Sequence, residues 1–187
     1  MRKMLAMAAV LLALTVTASA QDWQEVEVDG FTLRWATQSG DILAVELTGP
    51  TTGWVAVGFD PVAQMSEANL IIGYVESGTA YLRDDYGVAP TSHAPDTALG
   101  GTDNVTINGG DETGGETTIE FSIPLDSGDS YDKALAPGNS YPVILARGPD
   151  GADDFSTYHE FVTSTNIEIW ALDFDSATWG GLKTLDI

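Results

Sequence analysis

Two residues stand apart in this chain for the chemistry their types allow. Met65 lies in "GFDPVAQMSEANLIIGY" (58–74), within a Pro- and Gln-bearing loop between two apolar runs, and His159 lies in "DDFSTYHEFV" (153–162) near the other end. The other methionines, Met1, Met4 and Met7, fall in an apolar opening segment, and the second histidine, His93, sits in a polar stretch between Pro90 and Pro95. A thioether sulfur and an imidazole nitrogen together form a known axial pair for haem iron, the soft sulfur favouring the reduced metal. A lone methionine is also ordinary core filler, and a lone histidine an ordinary surface or core residue. Residue types alone leave both readings open.

Other chemistries are poorly supplied. The chain has no cysteine, which removes disulfides, thiolate metal sites, iron–sulfur clusters and covalent C-x-x-C-H haem attachment. With two histidines and no H-E-x-x-H spacing, a zinc site would depend on carboxylates. No G-x-S-x-G elbow marks a nucleophilic serine, and no pair among the 28 acidic residues is singled out for glycosidase work. The Asp- and Gly-rich segment 91–115 matches neither an EF-hand nor a nonapeptide calcium repeat. A stand-alone enzyme therefore has no anchor in these residues.

The elements that must position Met65 and His159 are strands. Apolar residues alternate with period two in "WQEVEV", "FTLRWAT", "ILAVELT", "WVAVGF", "LIIGYV", "AYLRDDY", "TTIEFSI" and "YPVILAR", each bounded by Gly, Pro, Asp, Asn or Ser. This pattern predicts an all-β sandwich or barrel, with helix limited to short pieces around 62–68 and 129–135. Segment 91–115 reads as a long surface loop holding a weak strand at Val105–Ile107.

The opening "MRKMLAMAAVLLALTVTASA" joins basic Arg2 and Lys3 to an apolar run and the small residues Ala18-Ser19-Ala20. It has the pattern of a signal peptide, residues 1–20, cleaved after Ala20. The expected product is an exported protein, periplasmic or extracellular, with residues 21–187 forming one domain. The apolar run is short of the roughly 20 residues of a spanning helix, and no later segment reaches that length, so the mature chain is expected to have no membrane span. Seven basic residues against 28 acidic give a formal net charge of −21. Nucleic acid and anionic membranes are poor partners for such a chain, whereas a partner with a basic docking surface is well matched.

Taken in order, "LRWAT" (33–37), "GWVAVGFDPVAQMSEANLIIGYV" (53–75), "DDY" (84–86), "TTIEFSIPLDSGDSYDKALAPGNSYPVILARG" (117–148) and "STYHEF" (156–161) resemble the DOMON family. The likeness is to its haem-binding cytochrome type, of the kind found in cellobiose dehydrogenase, and covers roughly residues 23–175. It implies an immunoglobulin-like antiparallel β-sandwich that holds one non-covalent haem b and exchanges electrons with a redox partner protein or enzyme. By position, Met65 and His159 match the family's axial ligands, with His93 as the rival histidine. Trp54, Phe59, Ile72, Tyr74 and Tyr158 are then candidate pocket walls, and Arg147, with Arg83 behind it, a candidate propionate partner. Ile123 departs from the family pattern, where many members have an arginine before Pro-Leu. The alternative is a haem-free carbohydrate-binding sandwich, in which exposed aromatics such as Trp170 or Trp179 stack on sugar rings.

Overall fold

The structure, a computed structural model, describes residues 22–38 and 41–171. Residues 1–20, read above as a signal peptide, and Trp179 lie outside the described residues. Eleven strands and one helical turn follow in order: β1 (Gln24–Val28), β2 (Phe31–Gln38), β3 (Ile42–Gly49), β4 (Val55–Phe59), β5 (Asn69–Glu76), β6 (Thr79–Ala89), β7 (Ser92–Pro95), α1 (Asp96–Leu99), β8 (Thr106–Thr113), β9 (Glu116–Pro124), β10 (Ser140–Arg147) and β11 (Phe161–Glu168).

Two antiparallel sheets form the expected immunoglobulin-like sandwich. One has the order β1-β2-β3-β9-β8, the other β11-β10-β4-β5-β6-β7. Tight turns set the register. Asp29-Gly30 and Ser77-Gly78 both have positive φ, the backbone of a two-residue hairpin turn whose twist matches the flanking strands. The resulting β1–β2 and β5–β6 pairings run without slippage. Alternation then sends Phe31, Leu33, Phe59, Ile71, Phe121 and Leu145 into the space between the sheets, all at most 1% exposed. Side chains of this size contribute about 1.5–3 kcal/mol each when fully buried.

Three sequence expectations need correction. Residues 62–68 are not helical: Gln64 and Glu67 take positive φ, and Val62 and Ser66 close a tight loop through an Ala63–Ser66 bridge. Residues 129–135 are not helical either, because Ser127 and Asp129 side chains accept the backbone N–H groups of Asp129 and Tyr131 and hold turns instead. The segment 91–115 is no simple loop, since it supplies β7, α1 and the whole of β8. Its strands lie on sheet edges, where pairing to one neighbour stands in for apolar content.

Candidate functional site: an apolar cavity on the outer face

Strand β4 is buried along its whole length. Val55, Val57 and Phe59 face the inter-sheet core, while Ala56, with the preceding Trp54, joins a second apolar cluster with Ile72 and Ala152 on the outer face of the six-stranded sheet. A strand buried on both faces must be covered on its outer side. Here the cover encloses a cavity of about 210 Å³.

The floor is set by register. Ala56 pairs with Ile72 and Ala146, and Gly58 pairs with Leu70 and Ile144, all six lining the cavity. Small residues on the central strand between large ones on its neighbours leave a trough. A Cβ on Gly58 would meet Leu70 Cδ2 at 2.5 Å and Ile144 Cγ1 at 2.7 Å, so that position must stay glycine for these side chains to lie as they do.

Met65 enters from one rim. Its loop is stitched to the end of β6: Met65 N donates to Pro90 O at 3.4 Å, Glu67 N to Gly87 O at 2.7 Å, and Gly87 N to Ala68 O at 3.0 Å. The backbones pass so closely that a Cβ on Gly87 would stand 1.6 Å from Met65 O.

His159 enters through the 152–159 connection. Trp54 fastens this segment at two points, its backbone N donating to Ala152 O at 3.1 Å and its indole Nε1 to Thr157 O at 3.2 Å. Asp154 accepts from the backbone and hydroxyl of both Ser156 and Thr157 at 2.6–2.8 Å, which holds its carboxyl well below the usual carboxylate range. Glu160 N donates to Arg147 O at 2.8 Å and so ties the residue after His159 to the end of β10. Met65 and His159 both line the cavity, each half-buried.

His93 lines the same cavity, contrary to a reading of it as a solvated loop histidine. It sits on β7, and its Nδ1 lies 2.5 Å from Oδ2 of Asp85, whose side chain is 0% exposed. Arg83 donates to both oxygens of that carboxylate, at 2.6 and 2.7 Å. Burial pushes the Asp85 carboxyl up, but the His93 and Arg83 hydrogen bonds outweigh it and hold the group below its ordinary value. The Arg83 guanidinium also lies under the Phe155 ring, 4.6 Å from its centroid.

Of the other candidate residues, Trp54, Ile72 and Tyr158 line the cavity, the last while largely exposed and with its ring 4.2 Å from the His159 ring. Tyr74 sits one layer back, touching the segment through Phe155 at 5.0 Å. Phe59 is displaced from the expected wall, because alternation turns it into the inter-sheet core. Arg147 falls on the strand face opposite Ala146, where it pairs with Glu160 at 2.9 Å, and it does not line the cavity. Arg83 is engaged by Asp85. Trp170 is 53% exposed beyond β11. Sequence reasoning missed Ala56, Gly58, Ala146 and Phe155. The signal for the floor was present in "WVAVGF", which is apolar or glycine at every position where a strand wet on one face would alternate.

Residues 27–148 match the DOMON domain, and the chain belongs to the DOMON family. Met65 falls within the matched segment and His159 beyond it. Among related sequences, mouse DBH-like monooxygenase protein 1 is 29% identical over 133 residues, covering 71% of this chain and 21% of that protein. Mouse DBH-like monooxygenase protein 2 is 28% identical over 134 residues, again 71% of this chain and 21% of that protein. The chain thus spans about a fifth of the length of these relatives. Two solved structures share the fold. The cytochrome domain of Myriococcum thermophilum cellobiose dehydrogenase aligns with TM-score 0.56 at 11% identity, over 79% of this chain and 81% of that one. The cytochrome b domain of Coprinopsis cinerea pyranose dehydrogenase aligns with TM-score 0.52 at 16% identity, over 73% and 75%.

Proposed function

We propose that this chain is an exported b-type haem protein that transfers single electrons, with Met65 and His159 as axial ligands. The observation that carries this reading is that Met65 and His159, distant in sequence, line one apolar cavity. The residues present fit such a group: Trp54, Leu70, Ile72, Ile144 and Phe155 offer an apolar wall over a floor of small residues. A haem held by one sulfur and one imidazole supplies a one-electron couple and leaves no coordination position for substrate. This chain's part is to orient the two ligands, exclude water from the trough and present an acidic surface to a basic redox partner. An electron carrier, not a stand-alone enzyme, follows from that division of labour. The chain's DOMON membership, and the likeness of its fold to cytochrome domains of two dehydrogenases, support the same reading.

A second arrangement is favoured by one contact. A carboxylate on the far nitrogen is the usual setting of a metal-ligating imidazole, and Asp85 provides this to His93. His93 in place of Met65 would give two imidazole ligands. The test is the absorption spectrum of residues 21–187 produced with ample haem, oxidised and then dithionite-reduced. The expected result is one haem per chain with a low-spin spectrum and a sulfur-to-iron band in the oxidised form. Met65→Ala and His159→Ala should each abolish that spectrum while His93→Ala retains it. Loss in His93→Ala but not Met65→Ala transfers the ligand role to His93, and a colourless protein that refuses added haem ends the proposal.

A further inference from the structure

Behind the cavity, on the inner face of the same sheet, three carboxylates converge. Asp84 pairs in register with core residue Ile71, and so points opposite to Asp85. It meets Asp96 of α1 and Asp132 of the connection between β9 and β10, with one oxygen of each lying within 4.8 Å of the others. Asp84 is 2% exposed and Asp96 0%.

Their hydrogen bonds reach only part of this cluster. Asp84 Oδ2 accepts from Asn104 N at 2.9 Å, and Asp132 accepts from Asn69 Nδ2 at 2.9 Å and from the Ser127 hydroxyl. Asp84 Oδ1 and both Asp96 oxygens are buried without a partner. Independently of the acids, the amide oxygen of Asn69, a residue 4% exposed, is also buried without one, and its own nitrogen is tied to Asp132. The Asn104 amide reaches the same space. Turned one way its nitrogen donates to Asp132 Oδ2 at 3.0 Å and Thr102 O at 3.2 Å; turned the other, its oxygen joins these acceptors.

Neighbouring cations are committed elsewhere, Arg83 to Asp85 and Lys133 to Glu67. Three carboxylates this close, with three of their oxygens unpartnered, call for compensating charge and for partners to those oxygens. A hard cation answers both demands at once.

We propose that Asp84, Asp96 and Asp132, joined by the Asn69 amide oxygen, bind one calcium ion. The donor set is all oxygen, which selects against softer metals. It comes from strands, a helical turn and a loop in irregular disposition, which suits an ion taking six to eight oxygens in flexible geometry better than magnesium, which demands a near-ideal octahedron. The site is independent of what the cavity holds.

The test is calcium titration of chelator-treated residues 21–187 by isothermal calorimetry and thermal melting, with magnesium at matched ionic strength as comparison. One site per chain is expected, with Kd at or below about 10⁻⁴ M and a rise in Tm of about 5 °C or more at saturation. Asp96→Asn and Asp84→Asn should lose the response, and Glu112→Gln, on the far edge strand, should keep it. A weak unsaturable heat shared by all variants marks diffuse counterion binding and overturns the site, as does an equal response to magnesium. Because the wild-type titration alone can fail, the proposal does not depend on the variants folding.

Discussion

Asp85 shows how much one buried carboxylate can organise. It holds the Arg83 guanidinium beneath Phe155 and the His93 ring at the cavity wall. Asp85→Asn should lower stability by about 2–3 kcal/mol at pH 7, the scale of lost hydrogen bonds to charged groups in a partly exposed network. The sign with pH follows from the depressed folded value of this acid. Its contribution is full above the ordinary carboxylate range and is lost as pH falls through the folded value. Urea titrations should therefore show the wild-type advantage intact at pH 7 and shrinking only below about pH 4. Residue identity was the most legible layer of the site, since Met65, His159, Trp54, Ile72 and Tyr158 all reach the cavity. Phe59 and Arg147 were misplaced for one reason. Proximity in sequence to a ligand says nothing about strand parity, and both residues have the parity that points away from the cavity floor.

Two connections, more than the strands, determine where Met65 and His159 stand. The 60–68 loop is positioned by backbone contact with Gly87, and a methyl group there cannot coexist with Met65 O. Gly87→Ala should leave the sandwich folded by circular dichroism but displace Met65, seen as loss of the sulfur-to-iron band. The 152–159 connection depends instead on Asp154, whose four hydrogen bonds form the turn before His159. Asp154→Ala should accelerate haem loss to apomyoglobin about tenfold, the usual scale for support lost behind a metal ligand. Neither connection could be read from periodicity. Loop shape rests on positive-φ residues and side-chain caps, which leave no repeating pattern, and the same blindness put helices at 62–68 and 129–135. The carboxylate cluster evaded motif reading in a related way. Asn69, Asp84, Asp96 and Asp132 follow no fixed spacing, because tertiary pairing and not a contiguous loop brings them together.

Over the whole molecule, charge governs encounter. With a formal net charge of −21, productive collisions should be with basic partners, and the bimolecular rate of electron transfer to a basic acceptor such as horse cytochrome c should fall at least tenfold between 10 and 200 mM salt, by stopped flow. A flat salt profile would mean that docking is not electrostatic. The sandwich itself was legible because eight of its strands are short apolar or alternating runs bounded by turn residues. Strands β7 and β11 were not, being edge strands whose short or largely polar sequences carry no apolar period. The stitching of the Met65 loop to the β6–β7 turn has a further consequence, for the protein's lifetime. Neither Met65 nor His159 is in place until strands distant in sequence have paired, so the unfolded chain would offer the proposed haem almost nothing. A ligand that binds only the folded state stabilises it by about 2.7 kcal/mol at one hundred times its Kd. Proteases cut the opened form, so chains short of the proposed haem would be cleared first, and supply of that cofactor would set how much protein survives.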